Sequence, residues 1–536
     1  MSLTSGDTHS SMINSAYNRT TNAVRKISGR IATATVVTFF LAGFLFTAIE
    51  QISGLFSLTD IGYGDSYILY DVLHFQKTGE IYRDLSLPPY LPAQYSPLVY
   101  VLYSIPGRII SSSNPFFGPR LVALAAFLLC ILIVISIARS LIPGRSVWLW
   151  ALLMAGSIGV MRSWVLQLRG DFPGILFDLL AIRLLFRNSR WAVVLAGLCA
   201  GFATQFKITY VTALIAGALW LLARRHWKDC ARFAAAGVLS SLGIYLLLWA
   251  REHRMLHQMM ALSPGVAEFP KWSILIHEAL TEPVVLLALL AAVLAISTAA
   301  LRADSYWGLL TLFALVAFSI AALTDIQAGG NTNYFYEALF AIVPAAVLGV
   351  RRLTAWAKWR ISASLFVTLL VAFYFLQPQA WVLYYGARSL VGPDGVKARN
   401  QAFRQIEQAL RGQHIFSTVP RAALLDGEPA LMEPYLLSYM QRMGKFDPAP
   451  ILRRLRDGEF DLVITAPTSI SWRGIPHINS DLRHAIMASY QPYCVDFGYL
   501  LHLPNNRRNS STLEGRLTAI GCTPVVCNSP FECPAW

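Results

Sequence analysis

Long apolar runs, separated by short polar segments that are mostly basic, fill the first 380 residues or so of the chain. Runs of this length are those that cross a hydrocarbon core of roughly 30 Å. The pattern predicts eleven spans, at 31–52, 119–138, 147–163, 173–187, 191–206, 208–223, 232–250, 283–301, 306–323, 337–350 and 361–378. An odd number puts the two termini on opposite sides of the membrane. Residues 1–30 are polar and carry Arg19, Arg25, Lys26 and Arg30. The run after them is too long for a signal-peptide core and lacks a small-residue cleavage site, so it reads as an uncleaved anchor with its N-terminus inside.

The distribution of charge tests this order. The loops that fall inside hold Arg139 and Arg145, Arg187 and Arg190, Arg224, Arg225, Lys228 and Arg232, Arg302, then Arg351, Arg352, Lys358 and Arg360. Most acids fall outside, among them Asp60, Asp65, Asp71, Glu80, Asp84, Asp171, Glu252, Glu268, Glu278, Glu282 and Asp325. A shift by one span would invert a bias that orients membrane proteins. Tyr95–Ile110 is apolar but contains Pro97, Pro106 and Gly107. Counting it as a span would put the basic loop 139–145 outside, so it reads as an interfacial or re-entrant segment within a long first outer loop, 53–118.

After about residue 380 the apolar runs shorten to strand length, as in Asp461-Leu462-Val463-Ile464-Thr465, and helical patterns recur near 398–411, 430–442 and 449–457. The division is therefore a cytoplasmic segment 1–30, a helical membrane domain 31–379 and a soluble α/β domain 380–536 outside the cytoplasm. Four of the seven cysteines lie in that tail, Cys494, Cys522, Cys527 and Cys533. An even number in an exported domain suits two disulfides, in any of three connectivities, and the spacing lacks the paired Cys-x-x-Cys of zinc sites.

Composition narrows the classes. The 536 residues are 55% hydrophobic and 14% charged, with a net charge of +14. The positive charge sits in short loops between spans and forms no nucleic-acid face. No phosphate-cradling Gly-rich loop is present, so no nucleotide cofactor is expected.

Candidate chemistry concentrates in Asp60-Ile61-Gly62-Tyr63-Gly64-Asp65, which runs into the helical pattern Ser66–Phe75. Asp65 reads as a catalytic carboxylate or as the N-cap of that helix, and Asp60 is its alternative. Asp71 and His74 are one turn apart and suit sugar hydroxyls or an exposed helix pair. Asp171, in Arg169-Gly170-Asp171-Phe172-Pro173, lies on the same side as Asp65 and has its own N-cap reading. Asp178, mid-span, reads as a functional intramembrane acid or, by preference, as a buried ion pair with a basic residue such as Arg183 or Arg169. Lys207 falls between two spans at the outer face. Asn331, Asn333, Tyr334 and Glu337 form a polar and aromatic patch at the mouth of a span, suited to binding sugar by hydrogen bonds and ring stacking.

An acid just after the first span, a short helix, Gly79-Glu80-Ile81-Tyr82-Arg83-Asp84, then Pro88-Pro89-Tyr90 and Tyr95-Ser96-Pro97-Leu98 together resemble the GT-C superfamily. These are membrane glycosyltransferases that use polyprenyl-phosphate sugars, such as the aminoarabinose, mannosyl and arabinosyl transferases. The resemblance covers about residues 31–350. It implies a catalytic acid in the first outer loop, a second acid in the next matched by Asp171, and a basic position on the lipid phosphate matched by Lys207. Arg120, Arg162 and Arg169 are further candidates for the phosphate. A divalent metal, Mg or Mn, held by Asp65 and Asp171 is left open.

The expectation is an integral membrane glycosyltransferase of the bacterial inner membrane, moving a sugar from a polyprenyl phosphate to an extracytoplasmic glycan, lipid or protein. Asp65 acts as general base and attack from the opposite face inverts the anomeric centre. The rival is a lipid or polysaccharide transporter, which would line a path with intramembrane charge and carry related repeats. An acyl or phosphoethanolamine transferase would need a Ser or Thr nucleophile with His or a metal cluster, and no such constellation is visible.

Overall fold

The computed structural model describes residues 6–62, 64–110, 112–187, 189–259, 269–295, 305–326, 331–357, 395–420, 422, 425, 430–466, 471–472, 475–476, 479–496, 499–506 and 510–525. The helices of the first part are α1 (Gly6–Leu55), α2 (Asp65–Thr78), α3 (Pro97–Ile109), α4 (Phe117–Leu141), α5 (Val147–Gly156), α6 (Asp171–Leu185), α7 (Arg190–Ala203), α8 (Thr212–Ala223), α9 (Trp227–Val238), α10 (Ile244–Arg251), α11 (Arg254–Met259), α12 (Phe269–Leu280), α13 (Pro283–Ala295), α14 (Tyr306–Asp325) and α15 (Tyr336–Ala357). Single 3-10 turns, Gly159–Trp164 and Thr332–Phe335, precede α6 and α15, and a π turn at Leu239–Gly243 joins α9 to α10.

Ten of the eleven expected spans fall on helices, 283–301 as far as residue 295, and residues 296–301 and the last span, 361–378, lie outside the described residues. Among the described residues, five helical stretches are long and apolar enough to cross a bilayer unaided: Thr33–Leu55, Phe117–Leu141, Trp227–Arg251, Tyr306–Asp325 and Thr332–Arg352. Trp272–Leu280 and Pro283–Leu289 form a sixth candidate, bent by 68° where Thr281, Glu282 and Pro283 break the ladder. The sequence pattern placed only the second half of that pair in the membrane, because Lys271 and Glu278 interrupt the first. The shorter apolar helices α5, α7 and α8 pack between the longer ones. The core they share is built from Leu, Ile, Ala and Phe on all sides of α4, α6 and α15, as expected for helices surrounded by protein and lipid. The segment expected at the interface is α3, which lies against α2 and α4.

The tail contains α16 (Val396–Leu410), α17 (Pro434–Arg442), α18 (Ala449–Arg456), α19 (Ser480–Ser489) and α20 (Ser510–Ala519). Its main sheet has the order β2-β1-β3-β7-β6-β8, from Ala430–Leu431, Ile415–Ser417, Leu462–Thr465, Tyr499–Pro504, Tyr490–Asp496 and Thr523–Pro524; β4 (Ser471–Trp472) pairs with β5 (Ile475–Pro476). β1 runs parallel to β2 and β3, and β7 returns antiparallel to β3. Helices lie on both faces of the sheet because β1 and β3 are buried throughout, as a parallel pair requires. Cys494 and Cys522 are disulfide-bonded, tying β6 to the turn before β8. Cys527 and Cys533 lie outside the described residues.

Candidate active site

The site begins where α1 ends. Residues 56–62 form a tight loop after α1, and Gly64, at φ 88°, leads into α2. Only glycine adopts that conformation without strain, which is why the helix starts one residue later with Asp65. Asp65 is thus the first helical residue and not the N-cap. Its carboxylate folds back to accept the amides of Ile61 (3.3 Å) and Gly62 (3.2 Å) through Oδ2. Its Oδ1 is buried and has no hydrogen-bond partner among the described residues. Asp60 accepts the amide of Ser66 at 2.6 Å and its hydroxyl at 2.8 Å. Burial pushes Asp65 up to about 6; Asp60 adds to the rise, while Arg120, Arg169 and the Gly62 amide oppose it.

Asp171 opens α6. Its Oδ1 accepts from Lys207 Nζ at 3.0 Å, Tyr210 Oη at 2.9 Å and Asn333 Nδ2 at 2.9 Å. Three segments therefore meet on one oxygen: the start of α6, the turn between α7 and α8, and the 3-10 turn before α15. Gly170 permits the approach, since a side chain there would lie 2.3 Å from the carbonyl oxygen of Phe206. The Lys207 ammonium also sits 3.6 Å from the centre of the Tyr334 ring.

Arg169 stands between the two carboxylates and interacts electrostatically with both Asp65 and Asp171. Its Nε donates to Gln167 at 2.7 Å, its guanidinium bonds the Tyr95 hydroxyl, and Trp164 lies beneath it at 4.6 Å. Tyr103 fixes the backbone there by donating to the Arg169 carbonyl at 2.6 Å. Asp65, Asp171, Arg169, Lys207, Asn333 and Tyr334 are thus assembled around one centre.

The remaining candidates have other engagements. Arg120 is fully buried and donates to the carbonyls of Gly54 (3.0 Å), Ser57 and Thr59 (2.7 Å), over the ring of Phe116. Asp71 is buried and paired with Arg83, so it is no exposed helix residue; His74 stacks on Tyr70. Asn331 caps the turn at Thr332. Glu337 accepts from Thr212 at 2.7 Å and faces Asp178, which therefore meets a second carboxyl and not Arg183 or Arg169. Arg162 pairs with Glu50 at 2.8 Å. Tyr210 and Tyr103 escaped the sequence reading, and Tyr95 entered it only as part of a motif, because aromatic residues near span ends ordinarily belong to the interfacial belt. The spacing of Tyr210 from Lys207, across one turn, was the available signal.

The donor set does not suit a divalent metal. Asp171 Oδ1 already accepts from the Lys207 ammonium, Tyr210 and Asn333. Among the described residues no group of three or more His, Cys, Asp or Glu could hold one. The metal entertained at Asp65 and Asp171 finds no ligand set here.

No family model matches the sequence, and no curated protein matches it. The structure is similar to that of ArnT from Cupriavidus metallidurans in the apo state, with a TM-score of 0.58 and 13% identity over 88% of this chain and 98% of that one. ArnT from the same organism bound to undecaprenyl phosphate gives a TM-score of 0.55 and 13% identity over 87% and 97%. The chain has the GT-C fold.

Proposed function

We propose that this protein is a membrane glycosyltransferase that moves a sugar from a polyprenyl phosphate to a hydroxyl outside the cytoplasm. The observation that carries the reading is Asp65 Oδ1: a buried carboxylate oxygen without a partner among the described residues, beside Arg169, in a GT-C fold. A carboxylate in that state has spare basicity for an incoming hydroxyl. ArnT bound to undecaprenyl phosphate supports a lipid phosphate as the donor's leaving group here.

In this mechanism the acceptor oxygen attacks the anomeric carbon as its proton passes to Asp65 Oδ1. The bond from that carbon to the phosphate oxygen breaks and its electron pair leaves with the lipid phosphate. Attack from the face opposite the leaving group inverts the anomeric centre. Lys207 and Arg169 neutralise the leaving phosphate by charge-assisted hydrogen bonds. Asp171, with Tyr210 and Asn333, fixes Lys207. Tyr334 stacks on the ammonium or on the sugar. No step needs a metal.

The N-terminus lies in the cytoplasm of a bacterial cell, with the site and residues 380–536 on the outer side of the inner membrane. The basic inner loops and the Cys494–Cys522 disulfide support that orientation. The test uses purified full-length chain in lipid vesicles with a panel of polyprenyl-phosphate sugars, following free polyprenyl phosphate. Acceptor-dependent release is expected. Movement of lipid between leaflets with no release from any donor overturns the reading in favour of a transporter.

A further inference from the structure

The stretch from Leu58 to Tyr67 is held at both ends by the C-terminal domain. At one end, Asn400 of α16 accepts the Leu58 amide through Oδ1 at 2.7 Å and donates to the Phe56 carbonyl through Nδ2 at 2.8 Å. At the other end the Tyr67 hydroxyl reaches the carbonyls of Thr418 (2.9 Å) and Met432 (3.2 Å), just beyond β1 and β2. Asp60 and Asp65 lie between these two anchors. From the membrane side, Arg120 holds the carbonyls of Gly54, Ser57 and Thr59, and Asn114 those of Leu55 and Ser57 at 3.3 Å.

The docking is structural over a wider area. Tyr90 of the first outer loop runs beside β2, donating its amide to Leu431 at 2.8 Å and accepting that of Glu433 at 3.3 Å. Tyr67 and Leu91 are part of the tail's own apolar core. Tyr67 also plugs the carboxyl end of the parallel strands, the edge where open α/β sheets ordinarily bind ligands. The sheet thus spends its ligand-binding edge on α2.

We infer that the tail is a positioning element for the catalytic loop, with Asn400 and Tyr67 as the positioning residues. The inference rests on the reading of Asp65 as the base. A loop whose amides and carbonyls are held from two domains has little freedom, and a general base must stand within hydrogen-bond reach of its proton. Neither residue touches substrate. Removing either anchor lets residues 54–66 move and lowers turnover without changing donor binding.

The test compares the full chain with Asn400→Ala, Tyr67→Phe and, as a control within the tail, Tyr493→Phe. Hydrogen exchange of residues 54–66 and of strands β3 and β7 is read alongside kcat and KM for the donor. Exchange in 54–66 is expected to rise about tenfold in both anchor variants while β3 and β7 keep their protection. kcat falls about tenfold at a donor KM within about twofold of native, and Tyr493→Phe changes neither. Unchanged exchange in 54–66, or raised exchange with native kcat, overturns the inference. Loss of protection in β3 and β7 together with the loop in both anchor variants also overturns it, as mere unfolding. The exchange readout does not depend on the reaction, so a native chain that turns over no donor removes the proposed function and still decides whether the tail holds the loop.

Discussion

Lys207 and Asp171 form a buried ion pair, 3.0 Å from ammonium to carboxylate, whereas Asp65 has no cation within ion-pair distance among the described residues. The two acids at this site are therefore in different chemical states. Asp171 accepts three donors on Oδ1, one of them the Lys207 ammonium, and is suited to holding a cation in place. Asp65 keeps one oxygen open.

Loss of the ion pair should act on binding before chemistry. In Lys207→Met, Asp171 retains Tyr210 and Asn333, so the helices stay together. The donor phosphate loses a charge-assisted contact, and donor KM is expected to rise roughly tenfold to a hundredfold, with a smaller change in kcat. Steady-state kinetics on matched preparations check this.

The pH dependence follows from Asp65. Its folded-state value is raised to about 6, and the reaction uses the ionised form. kcat/KM should therefore be level above pH 6 on the acid side and fall about tenfold per unit below it. Arg169 is one of the charges that oppose the rise, so Arg169→Gln is expected to move the midpoint upward. A pH–rate profile of both proteins measures the shift.

Asp178, Glu337 and Thr212 tie α6, α15 and α8 together beneath the same three segments that meet at Asp171. Asp178 and Glu337 are two buried carboxyls facing each other, and an amide at Glu337 keeps the volume while supplying a donor for the other carboxyl. Glu337→Gln should stay within about 1 kcal/mol of native stability, while Glu337→Ala, which leaves Asp178 buried beside a void, should cost roughly 2–4 kcal/mol. Thermal unfolding in detergent separates the two.

The tail carries its own acid sensitivity. His502 is buried against Thr465, 2.9 Å away, and burial pushes it down to about 3. The unfolded chain takes up the proton first, so stability is full above pH about 6.5 and is lost as pH falls, by roughly 1.4 kcal/mol per unit until about 3. Unfolding of the sheet followed by circular dichroism from pH 7 to 4 should show this slope, and His502→Gln should flatten it.

Hydropathy and loop charge made most of the bundle legible, because span length and basic loops are direct consequences of the bilayer. The first half of the bent pair was not, since Lys271 and Glu278 break its apolar run. Asp65, Asp171 and Lys207 were visible as polar residues at span ends, and the structure brings the last two into contact. What the pattern could not give was long-range pairing. Asp178 sits seven residues after Asp171, yet its partner is Glu337, far along the chain, and Arg120 reads as a free cation until its carbonyls on the 54–59 loop are seen. Asn400 is an unremarkable amide in an amphipathic helix, and only the fold places it on Phe56 and Leu58.

The central claim is that Asp65 takes the acceptor's proton. The most direct measurement is single-turnover release of polyprenyl phosphate by native protein and Asp65→Asn, with Asp60→Asn alongside, at saturating donor and acceptor and with fold verified by matched thermal unfolding. The account predicts a loss of roughly a hundredfold to ten-thousandfold in Asp65→Asn, donor binding retained, and the acid limb near pH 6 abolished in the residual activity. Near-native turnover in Asp65→Asn, with the limb intact, would contradict it.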